Sequence, residues 1–303
     1  MDPLETLDLP WDTSLRLLRG LASRGHENFL FTPPSLSLRS GQVNGRGYLI
    51  RPLGGNCYHS GPEKKFNLAD FDAVLIRKDP PFDTAYLSLT YLLEPLARKT
   101  QVINHPRGIR DANEKLFGLS FSRWSPPTLV SARLDEIFNF QKKIRADLVI
   151  KPLYEKGGKG VFLLRKNEKR AKKNLEQATQ KEKEPVIAQE FIPLSKEEGD
   201  KRILLWKGEI LGAFLRIPPP GDFRTNLSLG GRFVSCQVSA GENRLVRSLR
   251  SVLLKEGLYF VGIDVRAGKL IETNVTSPAG LVELDRLYGN KATRKVAEGL
   301  EKI

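Results

Sequence analysis

What the 303-residue chain has little of narrows its chemistry before any motif is read. It has two cysteines, three histidines and one methionine. Cys57 and Cys236 lie far apart in sequence, and two thiols in a chain this long read as those of a cytosolic protein without a structural disulfide. There is no Cys-x-x-Cys and no His-Glu-x-x-His, and only His26, His59 and His105 could offer imidazole. A His/Cys metal site is therefore not expected, and any metal is a hard cation held by oxygens. No apolar run approaches the ~18–20 residues of a membrane span. The opening Met1-Asp2-Pro3-Leu4-Glu5 lacks the basic-then-apolar profile of a signal peptide. Internal repeats and long low-complexity stretches are missing too. The expectation is a cytoplasmic globular protein with no membrane partner.

The rest of the composition is that of a folded enzyme-sized chain. It is 40% hydrophobic and 28% charged, with 26 Gly and 19 Pro, which excludes disordered, collagen-like and coiled-coil classes. The length suits two or three domains. Lys+Arg outnumber Asp+Glu by 49 to 35, a net charge of +14. That balance favours anionic partners: nucleotides, acidic metabolites, nucleic acid or an anionic surface.

Along the chain, the leucines of residues 14–24 are spaced as one face of an amphipathic helix. Residues 29–60 read as short strands and turns. Phe71–Ile76 reads as a buried strand running into the Pro80-Pro81 loop, residues 84–99 as a helix and residues 101–104 as a further strand. This β–α–β rhythm predicts an open α/β sheet over 1–108. Next come a helix over 111–122 starting near Asp111, a strand at 148–152, a glycine loop, and a return strand at 161–164. The stretch 165–184 is rich in Lys and Arg, but Glu168, Glu176, Glu182 and Glu184 are interleaved, so it reads as a solvated helix. Strands follow at 186–191, 202–206, 209–216, 259–265 and 269–275, with a helix at 242–256.

Three clusters carry chemistry. The first is the hairpin Val261–Asn274. Glu272 and Asn274 are two apart on a strand and share a face. An odd loop over 266–268 places Asp264 on that face too; an even loop places it on the other. Two carboxylates and an amide oxygen suit Mg²⁺ beside phosphate oxygens, although a hairpin with a polar solvent face fits the same spacing. The second is Lys151 followed by Gly157-Gly158-Lys159-Gly160, where glycines let backbone N–H groups approach phosphate. It is not a Walker loop, and an ordinary hairpin tip would look alike. With Lys115 it fits phosphoryl transfer, which needs positioning and charge neutralisation. The third is the loop from Arg216 through Pro218-Pro219-Pro220 to Arg224, Asn226, Gly230, Gly231 and Arg232, too irregular for one element and able to clamp phosphate or carboxylate. A solvated surface loop is the alternative. Arg77 and Arg202 flank apolar strands, where polar groups meet ligands in α/β folds, or where ordinary ion pairs form.

In this order, the strings Arg77-Lys78-Asp79-Pro80-Pro81-Phe82-Asp83, Asn113-Glu114-Lys115-Leu116, Ile150-Lys151-Pro152, Gly199-Asp200-Lys201-Arg202, Arg224-Thr225-Asn226-Leu227 and Glu272-Thr273-Asn274-Val275-Thr276-Ser277-Pro278 resemble the bacterial glutathione synthetase family of the ATP-grasp superfamily. The resemblance runs from Met1 to about residue 288. It implies a pre-ATP-grasp α/β substrate domain at 1–108 and an ATP-grasp domain at 109–303, with a small lid at about 125–188. It implies ATP-dependent joining of γ-glutamylcysteine to glycine through an acyl phosphate, with Mg²⁺ or Mn²⁺. By the same resemblance, Lys115, Lys151, Gly157, Gly158, Gly160 and Asp200 meet ATP, and Gln189-Glu190-Phe191-Ile192 form the adenine hinge. Asp264, Glu272 and Asn274 hold the metal. Arg77, Arg216, Arg224, Asn226, Gly230, Gly231 and Ser277 meet substrate, and Arg202, Arg216 and Arg224 serve the reacting groups. Homo-oligomers are common in the family.

The sequence departs from the family pattern in places. The apolar strand that normally precedes Met-Asp-Pro is not in this sequence, so the expectation is either a misassigned chain start, or a first sheet with an open position or a substitute there. Glu155 stands near the phosphate loop and must turn outward. The end after Pro278 is short and basic. The competing functions are another ATP-grasp carboxylate–amine ligase acting on a peptide or protein, and a non-catalytic nucleic-acid-binding relative.

Overall fold

The computed structural model describes residues 1–155, 157–193, 199–222, 224–225 and 230–302. Helix α1 (Thr13–Ala22) starts where Asp12 accepts the Leu15 N–H, and it buries Leu15, Leu17 and Leu18. Strands β1 (Asn28–Leu30), β2 (Leu36–Arg39), β3 (Gln42–Gly54), β4 (Cys57–Ser60) and β5 (Lys64–Asn67) form an antiparallel sheet built around the long β3. The β–α–β rhythm then appears as β6 (Ala73–Leu75), α2 (Thr84–Leu93) and β7 (Gln101–Ile103), with β6 and β7 parallel. Helix α2 stops two residues before Pro95 rather than running to 99, and a 3₁₀ turn at Leu96–Arg98 follows. The Met1-Asp2-Pro3 string secures the next loop: Asp2 accepts the Asp79 N–H and pairs with Lys78 at 2.9 Å. A cavity of about 520 Å³ lies between β1 and β6, bordered by consecutive residues 26–31 and 71–78.

The helix expected over 111–122 does not form. Helix α3 (Pro106–Asp111) comes first instead, with proline at its first turn and His105 as its cap. Asn113 then captures the Lys115 and Leu116 N–H groups with its side-chain oxygen, replacing helical bonds by a turn. Asp111 therefore ends a helix rather than beginning one, and a 3₁₀ turn at Phe117–Ser120 follows.

The second sheet has the order β10-β9-β11-β8, from β8 (Thr128–Ser131), β9 (Leu148–Pro152), β10 (Phe162–Leu164) and β11 (Val186–Glu190). Helices α4 (Leu134–Ile144) and α5 (Ala171–Ala178) cover it through Ile137, Leu148, Ile150, Leu164, Leu175 and Ala188. Only α5 of the charged stretch is helical. Gln180, Lys181 and Glu182 adopt positive φ, and the turn lets Glu182 accept the Leu134 N–H at the start of α4.

The third sheet, β14-β13-β12-β15-β16, uses β12 (Asp200–Trp206), β13 (Glu209–Ile217), β14 (Arg232–Ser235), β15 (Phe260–Arg266) and β16 (Lys269–Asn274). Helix α6 (Ala240–Lys255), opened by a Ser239/Glu242 capping box, packs with the first region into the main core. Helices α7 (Leu281–Tyr288) and α8 (Lys291–Leu300) close the chain against α1. Buried Asn104 joins the first region to this sheet. Its amide donates to Phe260 O and Val275 O, and its oxygen accepts from Tyr259 and Phe260 N–H, so its hydrogen-bonding capacity is fully used. No helix among the described residues is long and apolar enough to cross a membrane.

Candidate active site

A cleft of about 300 Å³ opens between the second and third sheets, with Asp79, Pro80, Glu114 and Lys115 from the first region along one side. Residues far apart in sequence meet there. The lining includes Lys115, Lys151, Gly157, Gly158, Gln189, Glu190, Ile192, Asp200, Arg202, Arg216, Arg224, Asp264, Glu272, Asn274 and Ser277. Val149, Val161, Ile192 and Ile271 supply an apolar portion.

The cleft floor is one face of the third sheet, and its register puts the charges in rows. Asp200 stands opposite Arg216, Arg202 opposite Asp264, and Asp264 opposite Glu272, while Asn274 faces Gly262. The expected three-residue loop is not how Asp264 reaches this face. Arg266 pairs with Lys269, so the turn is Ala267-Gly268 alone, both at positive φ. An even turn by itself would send Asp264 to the opposite side. A bulge between the Asp264–Glu272 and Val265–Leu270 pairs absorbs Ile271 and restores the parity.

The floor is held by ion pairs. Arg202 grips Asp264 with two bonds of 2.6 and 3.0 Å, and Arg216 reaches the same carboxylate at 2.9 Å. Burial opposes ionisation of Asp264, but the two guanidinium groups outweigh it and hold the carboxyl well below the ordinary range. Burial likewise works against the charge of Arg202, and Asp264 overcomes it. Asp200 is gripped by Arg266 and accepts the Thr225 hydroxyl at 2.7 Å. Arg266 also donates to Ile192 O on the opposite side. Among the described residues, none accepts a hydrogen bond from the buried Nε of Arg216.

The other side is different. Lys151 is half-buried and donates to the Gln189 oxygen at 2.7 Å; the Gln189 amide in turn donates to Thr128. Desolvation lowers the Lys151 pKa, and the more distant Glu272 and Asp200 only partly oppose it. Lys115 donates to Leu153 O at 3.3 Å and to Glu155 O, and lies 4.0 Å from Glu272. Gly157, Gly158 and Gly160 all have positive φ; at Gly160 a Cβ would also come within 2.8 Å of Pro152. The Glu155 carboxylate pairs with exposed Lys159 at 3.4 Å, and Glu155 remains part of the cleft lining. Arg224 is held by Asp222, which raises its pKa, and its Nη1 donates to Gly158 O at 3.4 Å, joining the arginine loop to the glycine loop.

Two carboxylates and an amide on one face form an all-oxygen donor set that suits a hard divalent cation. Among the described residues, no three His, Cys, Asp or Glu side chains converge as a ready-made cage, and Asp264 is shared with two arginines.

Several expected site residues lie elsewhere. Arg77 is buried away from the cleft, donating to Ser14 with its guanidinium over Phe260, because the strand it follows points it beneath α1. Gly160, Phe191, Gly230 and Gly231 do not line the cleft, and the Phe191 N–H donates to Asp147 O. Asn226 falls outside the described residues. Residues that sequence reasoning passed over are Glu114, Thr225, Arg266 and Thr276. Glu114 accepts from the Val275 and Thr276 N–H groups and the Thr276 hydroxyl, and burial and nearby Glu272 raise its pKa. Glu114 did stand beside Lys115 in a motif string, but no periodicity marked it.

Residues 1–110 match the family described as prokaryotic glutathione synthetase, N-terminal domain, and residues 114–289 the ATP-grasp domain of the same family. The glutathione synthetase of Synechococcus elongatus is 38% identical over 318 residues, covering 100% of this chain and 97% of that protein. That of Bradyrhizobium diazoefficiens is 39% identical, covering 99% and 96%. Among solved structures, the ATP-grasp ligase PsnB with a minimal precursor superposes with a TM-score of 0.63 at 18% identity, covering 96% of this chain and 95% of that one. The D-cycloserine synthetase DcsG gives 0.59 at 16% identity, covering 78% and 86%. At such identities these two show a shared fold alone, which in PsnB is that of an ATP-grasp ligase. The full-length sequence matches establish more: the chain is an ATP-dependent ligase and belongs to the prokaryotic glutathione synthetase family.

Proposed function

We propose that this ligase joins γ-glutamylcysteine to glycine, cleaving ATP to ADP and phosphate. The observation that carries the reading is the single cleft in which Lys115, Lys151 and the glycine loop face Asp264, Glu272 and Asn274. Lys151 donates to a neutral amide oxygen and Lys115 has Glu272 at the long distance of 4.0 Å, and a triphosphate supplies the negative charge both can accept. The apolar portion around Val149, Val161 and Ile192, next to Gln189 and Glu190, is the proposed base pocket. Asp264, Glu272 and Asn274 would hold Mg²⁺ or Mn²⁺, which when bound neutralises phosphate charge.

The chemistry then follows from what each group can do. A carboxylate oxygen of the dipeptide attacks the γ-phosphorus, the bond to ADP breaks, and an acyl phosphate forms. The glycine amine attacks its carbonyl, loses a proton, and phosphate leaves with the bonding electrons. Lys115 and Lys151 offset charge on the transferring group. Arg216 has a buried Nε without a partner among the described residues and can donate to the tetrahedral oxyanion. Arg224, linked to Gly158, helps the two loops keep water from the acyl phosphate. Arg202 supports the floor through Asp264. The proposed compartment is the cytoplasm, in keeping with two free thiols.

The test is ADP release with Mg²⁺, ATP, γ-glutamylcysteine and glycine, omitting each in turn, with mass spectrometry of the product. The expected result is glutathione formed only in the complete mixture. ADP release that depends on another acceptor would overturn the substrate assignment, and salt-sensitive nucleic-acid binding without turnover would overturn the enzyme reading.

A further inference from the structure

We infer that Glu114 is a positioning residue that sets the distance between the phosphate-binding lysine and the metal-binding strand. The inference rests on the proposed phosphoryl-transfer reading of the cleft. Glu114 sits in the turn created by Asn113, immediately before Lys115. Four hydrogen bonds tie it to the end of β16. Its backbone oxygen accepts the Thr273 N–H at 2.9 Å. Its Oε1 accepts the Val275 N–H at 2.8 Å, the Thr276 N–H at 3.0 Å and the Thr276 hydroxyl at 2.8 Å.

These bonds bracket the chemistry-bearing residues. Asn274 lies between two bonded amides, Glu272 directly precedes the first, and Ser277 directly follows the last. On the other side of the clamp, Lys115 Nζ lies 4.0 Å from Glu272. Among the described residues, the Val275 and Thr276 amides beyond β16 have no ladder partner, so one carboxylate oxygen does the work of a neighbouring strand. Without it, the backbone bond from Thr273 N–H to Glu114 O is left to hold Lys115 and the 272–277 segment together at this point, and residues 275–277 lose their anchor. Phosphoryl transfer depends on holding such groups within a fraction of an ångström.

All the side-chain bonds are to Oε1, so glutamine can reproduce them and alanine cannot. Glu114→Ala is expected to lower kcat for ADP release about 100-fold, the size of loss that ~1 Å of misplacement causes. ATP binding should weaken about tenfold, while adenosine, which lacks phosphates, binds as to wild type. Glu114→Gln should restore kcat to within about threefold. Amide hydrogen exchange at Val275 and Thr276 should speed up in the alanine variant and stay slow in the glutamine variant. Equal losses in both variants, or unchanged amide protection in Glu114→Ala, would overturn the inference. If wild-type protein releases no ADP under any condition, the catalytic reading fails, and the amide exchange still decides whether the clamp exists.

Discussion

The two sides of the cleft handle positive charge in opposite ways. On the floor, Arg202, Arg216 and Arg266 are buried against Asp264 and Asp200. On the facing side, Lys151 is half-buried and donates to the neutral Gln189 oxygen, and Lys115 leans on backbone carbonyls with Glu272 4.0 Å away. An arginine that has spent its charge on a carboxylate braces a sheet. A desolvated lysine with neutral neighbours gains most from an arriving anion. The contrast separates bracing from recognition more cleanly than residue type does, since all five side chains are cationic and line one cavity, and of the floor arginines Arg216 alone has a buried Nε left over for a ligand among the described residues.

The largest effect should come from breaking the floor. Asp264→Asn leaves two buried guanidinium groups short of their counter-charge and is expected to cost about 3–5 kcal/mol of stability. Turnover should be lost as well. Urea unfolding checks this, and an unchanged midpoint would mean that Asp264 serves ligands alone. Lys151→Met tests the other side. It should cut kcat/KM for ATP by about 100- to 1000-fold while leaving the free energy of urea unfolding within about 1 kcal/mol of wild type, since no buried carboxylate loses its partner.

The two sides should also respond at opposite ends of the pH scale. Asp264 has a folded pKa below its ordinary 3.8. Its stabilisation is therefore present above that value and lost as pH falls through the folded one. Lys151 has a folded pKa below its ordinary 10.5, so between the two values the unfolded chain binds more protons. Relative to Lys151→Met, wild type should gain stability as pH rises through that window, and paired denaturation curves would show it. The smallest expected effect is at the rim. Arg224→Ala removes the 3.4 Å contact to Gly158 O and should raise the fraction of ATP hydrolysed without peptide-bond formation, with stability unchanged. A ratio of ADP to product that stays at one would show that this contact does not seal the cleft.

Particular residues show what was legible beforehand. Glu272 and Asn274 were readable as neighbours on one face because strand alternation is local. Asp264 was not, since its side depends on whether a bulge accompanies the turn. The strands at 148–152 and 186–190 stood out as short apolar runs. The helix expected over 111–122 failed because a single Asn113 side chain outcompeted helical bonding. Arg77, at the end of an apolar strand, looked ligand-facing, yet it packs under α1 against Ser14.

The sequence by itself determined the kinds of chemistry available and their order along the chain: oxygen donors on one hairpin, lysines before a glycine loop, arginines in a long loop. Those traits are local, written in spacing and in residue type. Only the tertiary structure decided which cations are neutralised and which stay open to a ligand. Asp264 and Arg202 are 62 residues apart, and no periodicity reports a pairing that depends on strand order, register and one inserted residue.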